Sequence, residues 1–175
     1  MKIFIVNGYP ESGKDTFIDM CLEYLGNNGF KYSTIDAVKE YAKQIGWDGK
    51  KDDRGRAFLS DLKNALEKYN NFSHISVREF IGRTLYTGAK NGESLDNYVF
   101  FIIVREPKQI RALLNEYKNS KSIIIKRGLV EKKEYSNDAD KKVECFTYDY
   151  VISNAGTLDD LKDIAIEFLN EAVKN

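Results

Sequence analysis

Gly8-Tyr9-Pro10-Glu11-Ser12-Gly13-Lys14-Asp15 is the stretch that decides how this chain is read. It fits the pattern G-x-x-x-x-G-K, with Asp15 where a serine or threonine is usual. The spacing has a physical purpose. A loop of this length wraps a phosphate so that successive backbone N–H groups point inward. Gly8 and Gly13 permit the turn and a close backbone approach to the anion. Lys14 adds a full positive charge aimed at the outer phosphates, and the helix opened by the motif turns its positive end toward the same place. Before the loop, Lys2 to Val6 is a short apolar run of the kind that forms a buried strand. After it, Phe17, Ile18, Cys21, Leu22 and Leu25 fall on one helical face. Strand, glycine loop and helix together are the context the motif requires. ATP or a close relative is therefore the expected ligand, with Gly8, Glu11, Ser12, Gly13, Lys14, Asp15 and Thr16 around its phosphates. Asp15 takes the place of the hydroxyl that ordinarily ligates Mg²⁺, and a carboxylate also serves that ion, directly or through water. Its alternative role is to cap the helix or favour its dipole.

Outward from the loop, short apolar runs alternate with amphipathic stretches, the signature of a parallel α/β sheet. Strands are expected at Lys2 to Val6, Tyr32 to Ile35, Tyr98 to Val104, Ser122 to Ile125 and Tyr150 to Ile152. Helical stripes are carried by Val38, Tyr41, Ala42 and Ile45, by Phe58, Leu62, Leu66 and Tyr69, and by Val77, Phe80, Ile81 and Leu85. Two further stripes are Ile110, Leu113, Leu114 and Tyr117, and Leu158, Leu161, Ile164, Phe168 and Leu169. Ser76 with Glu79, and Thr157 with Asp160, have the spacing of capping boxes, and Pro107 suits a first helical turn. The fold class is α/β: a three-layer P-loop NTPase fold, with about five parallel strands and helices on both faces. One domain spans residues 1–175. Within it, about 46–95 reads as a substrate-side helical part, and the charged, weakly periodic stretch at about 127–147 reads as a lid.

Lysine and arginine number 27, as do aspartate and glutamate, so the chain is not the basic protein that general nucleic-acid binding requires. No segment has the apolar length of a membrane span and no secretory leader is visible, so a cytoplasmic protein acting on a small nucleotide is expected. Cys21 and Cys145 are in no metal spacing. Oligomeric state is not encoded in any feature of the sequence.

Ser12-Gly13-Lys14-Asp15-Thr16 resembles the phosphate loop of phage-type deoxynucleoside monophosphate kinases, and the Gly-Lys-Asp variant also occurs in animal-type phosphomevalonate kinases. Phe101-Ile102-Ile103-Val104-Arg105-Glu106-Pro107 resembles the strand and arginine that face the substrate in the nucleotide kinases. Tyr150 to Leu158 resembles their strand and Asn-x-Gly-Thr turn beside the adenine, a feature shared with dephospho-coenzyme A kinases. The resemblance implies a central phosphate-loop strand, Asn154 and Gly156 near the nucleotide, a helical acceptor part and a lid. It also exposes a departure: Ile103 stands where those kinases often carry an acid two residues before the arginine.

Arginine suits a phosphate because its planar fork makes two hydrogen bonds at once. Arg105 leaves the most apolar strand at the edge where open α/β sheets place ligands, and is expected to hold an acceptor phosphate and assist the reaction. Arg127 opens the lid and is expected to stabilise the transferring phosphoryl group. Arg54, Arg56 and Arg83 are candidate acceptor contacts from the substrate-side helices, and Asp36 follows the second strand at the ligand edge. His74, the only histidine, reads as a surface or cap residue. The expected activity is ATP-dependent phosphoryl transfer to a nucleoside or deoxynucleoside monophosphate. The alternatives are a kinase of another small phosphorylated metabolite, resembling dephospho-coenzyme A kinases, and a non-catalytic nucleotide-binding module.

Overall fold

The computed structural model describes residues 1–128, 143 and 146–173. Its strands are β1 (Lys2–Gly8), β2 (Gly29–Ser33), β3 (Val99–Ile103), β4 (Lys121–Lys126) and β5 (Tyr150–Ser153). Its helices are α1 (Lys14–Leu25), α2 (Thr34–Gln44), α3 (Asp53–Asn70), α4 (Phe72–Lys90), α5 (Pro107–Glu116) and, closing the described chain, α6 (Leu158–Ala172). All strands pair in parallel, in the order β2-β3-β1-β4-β5. The loop-bearing strand β1 is thus central, flanked by β3 and β4.

Side chains alternate across a strand, so β1 feeds two cores at once. Phe4 and Val6 pack with Phe17, Ile18 and Cys21 of α1 and with Leu161 and Phe168 of α6. Ile3 and Ile5 face the other side, with Val77 and Ile81 of α4 and Ile110 and Leu113 of α5. Every residue of β3 is buried, as a parallel strand covered on both faces must be. Burial pushes the Cys21 thiol up to about 12, so this cysteine acts as an apolar packing residue. A third cluster of Val38, Ala42, Leu59 and Phe72 ties α2, α3 and α4 into a helical unit inserted between β2 and β3.

Several local expectations hold. Pro107 opens α5, and Thr157 and Asp160 form a reciprocal capping box on α6. Others need correction. Ser76 and Glu79 do not start a helix: α4 begins at Phe72, after Asn71 takes a left-handed φ of 55° in the single residue separating α3 from α4. Ser76 lies inside that helix and donates its hydroxyl to the Ser73 carbonyl at 3.0 Å. The second strand begins at Gly29 and ends at Ser33, because Thr34 and Ile35 already belong to α2. Tyr41, Ile45, Tyr69 and Leu158 sit at or near helix ends and are exposed rather than buried. Of the stretch expected to be a lid, residues 129–142, 144 and 145 lie outside the described residues, and Cys145 with them.

Candidate phosphate-binding site

Parallel pairing brings all five strand ends to one edge of the sheet. Gly8 lies beside Ile125, Ser33 beside Ile103, and Lys126 beside Ser153. The loop from Gly8 to Gly13 rises from the middle of that edge. Glu11 has φ 64° and Gly13 has φ 86°. Left-handed residues placed this way turn successive N–H groups to one side and form an anion-binding concavity. At Glu11, which is not glycine, that conformation costs about 1–2 kcal/mol. No side chain caps the first turn of α1, and a helix has no carbonyl of its own for its first N–H groups.

The loop is clamped from below. Asn154, at the end of β5, donates its Nδ2 to the Ser12 carbonyl at 2.9 Å, while its own N–H bonds to the Lys126 carbonyl at 2.7 Å. The approach leaves no room at Gly13, where a Cβ would sit 2.2 Å from Asn154 Nδ2. Across the loop, a Cβ on Gly8 would meet Ser12 Oγ at 2.7 Å and the Ile125 carbonyl at 2.8 Å. Ser12 Oγ itself is fully buried and has no hydrogen-bond partner. A buried hydroxyl left this way costs about 1–3 kcal/mol, so the loop interior carries a polar atom suited to a ligand oxygen. Lys14 is 7% exposed, and its Nζ lies 3.5 Å from the Tyr9 carbonyl.

Asp15 points outward from the first turn of α1. Its Oδ1 is 3.0 Å from Lys31 Nζ of β2, and its Oδ2 is 3.8 Å from Lys14 Nζ. Partial burial pushes its carboxyl up. The Lys31 hydrogen bond and the charges of Lys14, Lys31 and Arg105 outweigh that and hold it below the usual carboxylate range. For Lys31 burial works downward, but hydrogen bonds and charge from Asp19 and Asp15 hold the ammonium above the ordinary lysine value. Among the described residues no three His, Cys, Asp or Glu side chains gather as a metal cage. Thr16 is half-buried in the same turn.

Arg105 emerges beyond β3, half-buried, on the side of the loop facing the inserted helices. Its carbonyl accepts from Asn7 Nδ2 at 3.2 Å. Asn7 escapes the sequence reading, yet it is fully buried and joins three segments. Its Oδ1 accepts the Gly8 N–H at 2.8 Å, and Nδ2 also lies 2.7 Å from Tyr148 Oη. The available signal was a polar residue ending an otherwise apolar strand just before the glycine. Lys63 is likewise missed; it reaches from α3 to Glu106 at 3.0 Å and ties the inserted helices to the β3–α5 corner.

The remaining candidates are dispersed. Arg127 is exposed at the end of β4, and Gly156 lies in the turn between β5 and α6. Arg54 is exposed in the first turn of α3, and Arg56 donates from Nε to the Lys51 carbonyl at 2.8 Å. Asp36 is exposed in α2 and pairs with Lys39 at 2.6 Å. Arg83 is not brought to the loop. It pairs with Glu79 at 2.8 Å and lines an open cavity of about 980 Å³ with Asn27, Phe30 and Tyr98. Those residues precede or begin strands, so this cavity is at the opposite edge of the sheet. The cause is the length of α4, which runs past the full height of the sheet. His74 pairs with Glu116 of α5, where Arg78 joins at 3.2 Å.

No family model matches this chain, and no curated protein does. Solved structures do. Dephospho-CoA kinase from Campylobacter jejuni superposes with a TM-score of 0.52 at 19% identity, over 99% of both chains. A sugar kinase from Janibacter sp. HTCC2649 gives 0.51 at 14% identity, over 99% of this chain and 97% of that one. The five-stranded parallel sheet with helices on both sides is thus the P-loop kinase fold.

Proposed function

We propose that this protein transfers the terminal phosphoryl group of ATP to a nucleoside or deoxynucleoside monophosphate. The observation that carries the reading is the loop interior: an unpartnered buried hydroxyl at Ser12, between the left-handed residues Glu11 and Gly13, and a nearly buried ammonium at Lys14 just after them. These groups fit an oligophosphate. Bound MgATP would supply the phosphoryl group and part of the charge compensation that its transfer needs. The chain contributes position and charge. Lys14 sets a cation against the outer phosphates, and the clamp from Asn154 fixes the loop before any ligand arrives. Asp15 would offer one carboxylate to the ion; Mg²⁺ commonly takes only one or two from a protein and keeps water and phosphate oxygens for the rest. Arg105, one strand over, gives an anionic acceptor a cation distinct from those serving ATP, and Arg127, just past the end of β4, would stabilise the charge on the transferring phosphoryl group.

A second reading has its own support. The likeness to dephospho-CoA kinase favours an acceptor larger than a nucleoside monophosphate, whereas Ile103, buried at 5% exposure, supplies no acid at the end of β3 and favours a nucleotide-binding module without turnover. One experiment separates these possibilities: ADP release with MgATP against the common nucleoside monophosphates, dephospho-coenzyme A and unphosphorylated nucleosides. A monophosphate is expected to drive turnover fastest, and Lys14→Ala is expected to cut that rate at least about a hundredfold in a folded protein. Faster turnover on an unphosphorylated acceptor would reject the reading. ATP binding without turnover on any acceptor would leave a nucleotide-binding module.

A further inference from the structure

The contact between Lys31 and Asp15 has no counterpart in the phosphate-loop motif. Asp15 and Asp19 are four residues apart on α1 and so share a face. Lys31 Nζ lies 3.0 Å from Asp15 Oδ1 and 3.0 Å from Asp19 Oδ1. The lysine side chain is 25% exposed, against 60% and 62% for the two aspartates. It comes from β2, which is not a neighbour of β1 in the sheet. The residue is thus held by the sheet while its partners sit on the helix that opens at the loop.

An aspartate at the usual hydroxyl position creates an electrostatic problem. Its negative charge favours the helix dipole, but it stands one residue from Lys14, beside the place of a polyanion. Like charges at that separation lie well inside the Debye length and repel. Lys14 alone cannot offset both the carboxylate and the phosphates, and its Nζ is the farther cation, at 3.8 Å from Oδ2.

We propose that Lys31 is a positioning residue that draws the Asp15 carboxylate toward β2 and offsets its charge, so that the loop accepts nucleotide phosphates without help from a metal ion. This rests on the nucleotide-binding reading above. The test is equilibrium binding of ATP in excess EDTA, followed calorimetrically, for the wild type, Lys31→Met, Asp15→Asn and the double variant. Lys31→Met is expected to weaken metal-free binding on the order of fivefold, the scale of one partly exposed ion pair. In the Asp15→Asn background the same change is expected to matter by less than about twofold, because the charge it served is gone. Lys31→Arg is expected to keep the affinity of the wild type. Circular dichroism and melting curves establish that each variant is folded. Equal affinity of Lys31→Met and wild type overturns the proposal. So does an equal loss in both backgrounds, which would mean that Lys31 touches the phosphates directly, and so does a Lys31→Arg as weak as Lys31→Met. A folded wild type that binds no nucleotide at all would instead remove the nucleotide-binding reading itself.

Discussion

Gly13 answers two demands at once, a φ of 86° and the Asn154 amide pressed against the place of its missing side chain. Gly13→Ala is therefore expected to destabilise the fold by about 1–3 kcal/mol and to weaken ATP binding by about tenfold or more, since the loop and its clamp must both shift. Gly82 is the control. It lies inside α4 with ordinary φ and nothing within 4 Å of an added Cβ. Gly82→Ala is expected to raise stability by about 0.4–1 kcal/mol without changing nucleotide affinity. Melting curves and ATP titrations check both, and a Gly13→Ala protein with wild-type values would reject the clamp. Gly8, Gly13 and Lys14 were legible because the motif is contiguous. Asn154 was expected beside the nucleotide, but its bond to Ser12 spans 142 residues and no local pattern encodes it. Asn7 was invisible for the same reason, since it bonds to Arg105 and Tyr148 from distant parts of the sequence, and Lys31 because its partners on α1 come beside it only when β2 packs back against that helix.

At the scale of elements, β5 is a four-residue edge strand, yet it carries Asn154 to the loop. Its approach to β4 is fixed at the preceding residue. Asp149 Oδ2 accepts the Ser122 N–H at 2.8 Å and the Ser122 hydroxyl at 2.7 Å, with Lys121 Nζ 3.3 Å from Oδ1. Burial raises the Asp149 carboxyl, but the Ser122 bonds and Lys121 outweigh it and hold the group below the usual carboxylate range. The sign of the linkage follows. A depressed carboxyl stabilises the fold above its unfolded pKa, about 3.9, and loses that contribution as pH falls through its folded value. Asp149→Asn is expected to cost about 1 kcal/mol at pH 7, with the gap to wild type narrowing below pH 4. Melting temperatures at pH 7 and pH 3 decide this; an equal gap at both would mean that the charge contributes nothing. Element identity was readable where the signal was short-range, as at Pro107 and the Thr157–Asp160 box. It failed at Ser76, where the local spacing of a cap was overridden by Asn71 starting α4 earlier.

For the molecule as a whole, the sheet separates two tasks. The loop and Asn154 lie along β1, β4 and β5, whereas Arg105 and the inserted helices lie toward β3 and β2. If the acceptor binds on that second side, Arg105→Ala should raise the acceptor KM by about tenfold or more while the ATP KM changes by less than about twofold. It should also lower kcat, because the same cation positions the attacking oxygen. Equal effects on both substrates would place Arg105 on ATP instead. Sheet class and most strand positions were legible from periodicity, whereas the place of Arg83 was not: a candidate acceptor contact weaker than Arg105, it lies on α4 at the far edge of the sheet. The central place of β1 also has a consequence for synthesis. Its partners β3 and β4 begin at Val99 and Lys121. At about 5–20 residues per second, the ribosome takes roughly 5–20 s to make the first of them. Through that interval Ile3, Phe4, Ile5 and Val6 have no strand beside them, and a slower ribosome lengthens the time for which this apolar run is open to aggregation.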